Sequence, residues 1–125
     1  MKKIASFFAV AVLFVSVVAQ ASGYDGTYHF SSRTKEGKAD MSGWWGMMVI
    51  TNNTMTRVYH SPDGKTEKFY AGPYKQEGNL LNVTFTQAYN PSYVGNTHQQ
   101  KMTMTGNTLT LSSPDGTFHE TWTKK

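Results

Sequence analysis

The chain reads as all-β: a small antiparallel up-and-down barrel of eight to nine short strands, following an N-terminal signal peptide helix. Three observations lead there. Beyond residue 21 no window carries a sustained 3.6-residue apolar stripe, while several stretches alternate polar and apolar residues with the period of two that a strand requires. Thr, Tyr, Trp and Phe, which suit half-buried pleated strands, are abundant, and aromatic residues together with Met outnumber Val, Ile and Leu. Turn-forming pairs and tetrapeptides separate the alternating stretches, drawing on eleven Gly and four Pro.

The first 21 residues stand apart. Lys2 and Lys3 precede an apolar run over residues 4–18, interrupted only by Ser6 and Ser16. Ala19-Gln20-Ala21 then gives the small-x-small pattern of a signal-peptidase site. Residues 1–21 are expected to be a signal peptide cleaved after Ala21, delivering 22–125 to the periplasm or the exterior as one domain. An uncut membrane anchor fits less well, because the apolar core is short. The 12 Lys+Arg and 8 Asp+Glu give a net charge of +4, two units of which belong to Lys2 and Lys3. The remaining +2 makes no electrostatic case for nucleic acid. No later apolar stretch is long enough to span a bilayer. The absence of Cys excludes disulfides, thiolate metal sites, a Cys nucleophile and a lipid-anchored N-terminal Cys.

Taken in order, residues 26–30 open the first strand, with Tyr28 and Phe30 on one face. Residues 31–42 carry Arg33, Lys35, Glu36, Lys38 and Asp40 and read as a solvated loop. Residues 44–51 form a strand apolar on both faces, and Asn52-Asn53 turns it. Residues 54–60 alternate, placing Met55, Arg57 and Tyr59 together. Ser61-Pro62-Asp63-Gly64 is a turn in which Pro fixes φ and Gly accepts positive φ. Residues 65–70 return, and Gly72-Pro73 is expected to break that strand. Residues 74–76 and 80–87 flank the Glu77-Gly78-Asn79 turn, with Leu81, Val83 and Phe85 inward. A longer Tyr-bearing loop covers 88–96. Residues 97–105 alternate again, with His98, Gln100, Met102 and Met104 on one face. Leu109 and Leu111 mark the next strand after Gly106-Asn107, and Ser113-Pro114-Asp115-Gly116 leads into the last, with Phe118, Glu120 and Trp122 aligned.

Asn53-Thr54-Met55-Thr56 before one Ser-Pro-Asp-Gly turn is echoed by Asn107-Thr108-Leu109-Thr110 before the other. This is repeated hairpin chemistry, not a repeat array. An open sheet of this size would expose two edges, and closure removes them. About eight strands close into a barrel that holds either side chains or one small ligand. The succession of hairpins favours this over a two-sheet sandwich.

The order of several short segments carries a resemblance. Gly26-Thr27-Tyr28, then Ala71-Gly72-Pro73-Tyr74, Glu77-Gly78-Asn79 and Asn90-Pro91-Ser92-Tyr93-Val94-Gly95, then Thr105-Gly106-Asn107-Thr108-Leu109 and Gly116 through His119-Glu120-Thr121-Trp122 resemble the calycin superfamily. Within it they resemble the small bacterial lipocalin-like domains of unknown function, over roughly residues 24–125. Tyr28 stands where lipocalins carry the Trp of Gly-x-Trp, and Lys124 rather than Arg follows Trp122. The chain therefore lacks both residues of the lipocalin packing of a first-strand Trp under a late Arg. The resemblance implies an eight-stranded barrel able to enclose a ligand cavity, and no catalytic residues.

The expected function is non-covalent binding of a small hydrophobic or amphipathic molecule inside the barrel. Candidate lining residues are Met55, Tyr59, Phe69, Leu81, Phe85, Met102, Met104 and Trp122, with Arg57 and Glu120 as polar groups. Burying Arg57 or Glu120 alone is costly, so each wants a partner. Arg-x-Tyr on one strand face resembles fatty-acid-binding proteins, which are also calycins, and points to a ligand carboxylate. The competing readings are a purely structural Arg57–Glu120 pair, or reversed faces with Arg57 in solvent. A second functional class is an envelope interaction or inhibitor module with a side-chain-filled barrel. For it, Tyr70, Tyr74, Tyr89 and Tyr93 would form a protein-binding patch instead of ringing a barrel mouth. A third is Cu(I) binding by His98, Met102 and Met104, since thioether and imidazole suit that ion. Met-x-Met on a strand is equally plain core packing. His29, His60, His98 and His119 show no metal spacing, and no Gly-x-Ser-x-Gly, Walker or dinucleotide motif occurs. Carboxylates are scattered, so no catalysis and no cofactor are expected.

Overall fold

Among the described residues, eight of ten strands close a barrel. The computed structural model describes residues 23–125; the expected signal peptide, 1–21, lies outside them. The strands are β1 (Gly26–Lys35), β2 (Lys38–Asp40), β3 (Trp45–Thr51), β4 (Thr54–His60), β5 (Glu67–Glu77), β6 (Leu80–Thr84), β7 (Gln87–Ala88), β8 (Thr97–Thr105), β9 (Thr108–Ser112) and β10 (Phe118–Lys124). Each barrel strand pairs antiparallel with its successor, from β1 through β3, β4, β5, β6, β8 and β9 to β10, and β10 pairs back onto β1. β2 extends one edge beside β1, and β7 pairs with β5. Among the described residues no helix is long and apolar enough to cross a membrane.

The two ends differ. One is closed by tight turns: Asn52-Asn53, both at positive φ (52° and 57°), Gly78-Asn79 and Gly106-Asn107. Tyr24 and Tyr28 seal that end, Tyr28 Oη donating to the Tyr24 carbonyl at 2.6 Å and Tyr24 Oη to the Met102 carbonyl at 3.1 Å. Lys124 stands directly opposite Tyr28 in the β1–β10 register. The other end carries the longer connections. Two of them are the Ser-Pro-Asp-Gly turns, and they are built alike. Asp63 Oδ1 accepts from the Ser61 hydroxyl (2.6 Å) and the Lys65 amide (3.0 Å), as Asp115 Oδ1 does from Ser113 (2.7 Å) and Thr117 (3.0 Å). The repeated motif is thus turn chemistry.

The alternation of burial follows the strand period. On β3, Gly46, Met48 and Ile50 point inward, while Trp45, Met47 and Val49 lie on the outer surface. Tyr28, Met48, Met55, Leu81, Val83, Met102, Leu109, Leu111 and Trp122 form one packed core, drawn mostly from the strand ends near the tight turns.

Two segments depart from the sequence expectation. Residues 31–35 are not loop: β1 runs to Lys35, pairs with β10 and forms a hairpin with β2. Hydroxyl pairs Ser31–Thr123 and Ser32–Thr121, each at 2.7 Å, support this polar strand. Gly72-Pro73 does not break β5, which continues from Glu67 to Glu77. A Cβ on Gly72 would lie 1.8 Å from the Thr84 carbonyl oxygen, so Gly there lets the end of β6 cross close to β5. The expected 80–87 strand accordingly divides into β6 and β7 around that crossing.

Candidate functional site

The half of the barrel nearer the long loops holds a cavity of about 260 Å³ that opens to solvent. Five strands deliver its polar groups, β5 supplying Lys68 and Tyr70. On β4, Arg57 and Tyr59 face inward and are 5% and 2% exposed. On β10, Glu120 faces inward at 2% exposure, in the Phe118, Glu120, Trp122 row. On β8, His98 and Gln100 lie on the inner face. On β1, Arg33 pairs in register with Glu120 and shares its face.

Arg33 reaches the interior because of a bulge. The β1–β10 register shifts between Phe30 and Ser32, so one extra residue enters β1. Strict alternation from the inward Tyr28 and Phe30 would send Arg33 outward; the extra residue reverses the faces beyond it. Arg33 Nη1 then sits 3.6 Å from Glu120 Oε2, and its Nε sits 3.4 Å from Asp40 Oδ2 on β2.

Glu120 is the hub. Its Oε1 accepts from Tyr59 Oη at 2.7 Å and from Trp122 Nε1 at 3.1 Å, and Arg57 Nη1 lies 3.8 Å away. Arg57 Nη1 also donates to Tyr59 Oη at 3.4 Å. The expected Arg57–Glu120 pairing is present and faces inward, and Arg57 is not solvated. Burial acts to lower the Arg57 pKa, but the Tyr59 hydroxyl and Glu120 outweigh it and hold the guanidinium charged. Burial pushes the Tyr59 phenol well above its ordinary range, so it stays a neutral donor.

The pairing leaves one positive charge over: Arg33, Arg57 and Lys68 line the cavity with Glu120, and among the described residues Asp40 beside Arg33 is the only other carboxylate paired with them. It also leaves polar atoms over. Arg57 Nε, His98 Nε2 and Gln100 Oε1 are buried with no hydrogen-bond partner among the described residues. Buried polar groups are normally hydrogen-bonded, and each unmade bond costs about 1–3 kcal/mol.

The walls are aromatic. The Arg57 guanidinium carbon lies 5.3 Å from the Tyr70 ring centre and 5.9 Å from that of Phe85. Phe85 in turn lies 4.9 Å from His98. Tyr70 stacks on Tyr93 at 5.9 Å and meets Tyr89 edge-on at 5.6 Å. Tyr93 is placed by the short 3₁₀ turn Pro91–Tyr93, where Asn90 Oδ1 caps the Ser92 amide and Pro91 fixes the first position. Lys68 extends over Trp44 (5.4 Å) and Tyr89 (5.8 Å) at the rim.

The sequence-derived candidates divide in three. Arg57, Tyr59, Phe85 and Glu120 line the cavity. Met55, Leu81, Met102 and Trp122 are inward but belong to the packed half, and Met104 is a partly buried residue packed against it. Phe69 is a correction. It pairs with Val58 on the outward parity of β5, and its neighbour Tyr70, opposite Arg57, takes the inner position. With Phe and Tyr adjacent, the local pattern does not say which of the two is inside. Of the four tyrosines considered together, Tyr70 and Tyr93 line the cavity and Tyr89 flanks them, whereas Tyr74 is buried near the closed end. The copper arrangement is also corrected. His98 and Met104 are six residues apart on one strand, about 20 Å, so they cannot share an ion. Arg33, Met41, Lys68, His98, Gln100 and Phe118 join the lining. For His98 and Gln100 the β8 alternation was the signal; for Arg33 and Met41 no local signal exists.

Comparison with known proteins adds the fold. The chain is similar to the crystal structure of an uncharacterized protein from Bacteroides eggerthii DSM 20697, with 11% identity and a TM-score of 0.57, covering 82% of this chain and 99% of that one. At that identity the likeness is one of fold alone. No family model and no curated protein matches the chain. The closed eight-stranded antiparallel barrel is consistent with a lipocalin-like fold.

Proposed function

We propose that this barrel binds a small organic anion in the cavity at its long-loop end, with the anionic group on Arg57 and Arg33 and the apolar body against Phe85, Tyr70 and Tyr93. The observation that carries the reading is the charge of the cavity: Arg33, Arg57 and Lys68 line it against Glu120, and even with Asp40 counted beside Arg33 one cation is left over. For stability alone such a cluster is a poor choice, since apolar residues of similar volume do as well as a buried ion pair or better. A bound anion offsets the excess charge through charge-assisted contact with the arginine side chains. The volume supports a small ligand. At about 30 Å³ per water, 260 Å³ is room for roughly eight to nine waters, short of a long acyl chain. A filled interior, which the interaction-module reading requires, is found only in the other half of the barrel. Export to the periplasm or exterior, expected from residues 1–21, is kept as part of the proposal.

Native mass spectrometry of gently purified protein tests this, followed by calorimetry with benzoate. We expect a co-purified or added acid to bind the parent chain and to lose at least tenfold in affinity in Arg57→Met, which keeps the aliphatic length. Equal binding by the two chains would overturn the reading. So would co-purification of a protein with no small molecule and no acid binding.

A further inference from the structure

We infer that Lys68 sets the charge class of the ligand, so that the cavity takes a monoanion and discriminates against a dianion of the same shape. This rests on the anion-binding reading above and names the residue that supplies its net charge. Ion pairs account for two of the three cations in the lining. Arg33 faces Asp40 at 3.4 Å and Glu120 at 3.6 Å, and Arg57 faces Glu120 at 3.8 Å. Among the described residues no carboxylate pairs with Lys68. With histidine counted neutral, the surplus is a single positive charge, and Lys68 is its source.

The register places Lys68 beside Arg57. Lys68 stands opposite Tyr59 on β4, as Tyr70 stands opposite Arg57. Lys68 and Arg57 are thus diagonal neighbours on the inner face, with backbones about 7–8 Å apart. β4 runs from the Asn52-Asn53 turn towards the Ser61-Pro62-Asp63-Gly64 turn, so Lys68 is one inner-face step nearer the open end. There it is half-buried, with Nζ 5.4 Å from the Trp44 ring centre and 5.8 Å from that of Tyr89. Tyr89 meets Tyr70 at 5.6 Å, and the Arg57 guanidinium carbon lies 5.3 Å from the Tyr70 ring. The two cations therefore flank one aromatic wall. The rings attract the ammonium but carry no net charge, so they leave its positive charge uncompensated.

The size of the surplus decides the class. The attraction of a ligand to the site rises in proportion to its charge, whereas the cost of taking it out of water rises with the square of that charge. One surplus cation suits one transferred negative charge. A second negative charge finds Arg33 and Arg57 already facing carboxylates, and it is repelled by Glu120 and Asp40.

Calorimetric titration at pH 8 with phenyl sulfate, phenyl phosphate and benzoate tests the inference. The two esters share a shape, and the phosphate, with its second pKa near about 6, carries one more negative charge. The parent chain should bind phenyl sulfate at least tenfold tighter than phenyl phosphate. Lys68→Met keeps an apolar stem over Trp44 and Tyr89, so its thermal midpoint without ligand should match the parent's. It should nonetheless lose about tenfold in affinity for benzoate and phenyl sulfate, and Lys68→Arg should retain both. Equal or tighter binding of phenyl phosphate, acid binding undiminished in Lys68→Met, or a loss that Lys68→Arg shares overturns the assignment and leaves the anion site standing. Binding of benzoate with neither ester does the same. Binding of none of the three overturns both readings.

Discussion

Replacing Glu120 by Gln should move stability and anion affinity in opposite directions. Gln keeps an acceptor for Tyr59 Oη and Trp122 Nε1 but removes the charge facing Arg57 at 3.8 Å and Arg33 at 3.6 Å. With an effective dielectric of about 20, one unit pair at that separation attracts by about 4 kcal/mol, from which the lost cost of burying the carboxylate is subtracted. Removing one partner of a buried pair typically costs about 3–5 kcal/mol. The separations here exceed a direct hydrogen bond, so we expect a loss of about 2–4 kcal/mol, a large part of the roughly 5–15 kcal/mol of a domain this size. The same change removes the negative charge nearest the proposed ligand. A carboxylate on Arg57 would stand roughly 6–7 Å from that of Glu120, a repulsion of about 2 kcal/mol at the same dielectric. Its removal should tighten benzoate binding roughly thirtyfold. Urea unfolding with and without benzoate reads both effects. The variant should be less stable without ligand and recover more than the parent chain when ligand is added. A Glu120→Gln chain as stable as the parent, or one that binds benzoate more weakly, would refute the argument.

Three further outcomes are expected. Gly72→Ala places a methyl group 1.8 Å from the Thr84 carbonyl oxygen, a backbone atom that cannot rotate away; it should cost more than about 3 kcal/mol by chemical denaturation, and a smaller loss would mean that the β5–β6 crossing yields. The Tyr28 phenol is pushed up to about 12, first by burial and then by Asp25, so the stability it contributes is full below about pH 10 and lost as pH rises towards 12; Tyr28→Phe should flatten the alkaline loss, read from thermal midpoints across that range. The Asp115 carboxyl is held down at about 2 by the Thr117 and Ser113 hydroxyls and the Thr117 amide, so its contribution is present above about pH 4 and lost as pH falls towards 2; Asp115→Asn should lower the neutral-pH midpoint and reduce the acid slope, and an unchanged slope would deny the turn its role.

Much of the fold was legible because its signals are local. Asn52-Asn53 and both Ser-Pro-Asp-Gly turns name their backbone geometry, and the alternation through 54–60, 97–105 and 118–124 fixes which side chains share a face. Arg57, Tyr59 and Glu120 were found by that rule. What escaped it depends on distant strands. A single bulge opposite β10 turns Arg33 inward, and nothing around Ser31 announces it. Phe69 and Tyr70 are both apolar enough to be inside, and only the pairing with β4 selects Tyr70. Gly72-Pro73 looks like a strand break, yet the glycine serves a close crossing by β6. Met55, Leu81 and Met102 were correctly read as inward, but whether an inward residue is packed or lines a cavity depends on the end of the barrel it occupies. The contrast between tight turns at one end and longer loops at the other carried that information.

The most direct test of the central claim is an NMR titration of isotope-labelled protein with benzoate, following backbone amides and the arginine Nε–H signals. The account predicts saturable shifts at Arg57, Tyr70, Phe85, His98 and Gln100, with the Arg57 Nε–H signal moving most. Met48, Met55, Leu81 and Leu109 in the packed half should stay still. Shifts spread over the outer face around Trp45, or no saturable shift at Arg57, would contradict it.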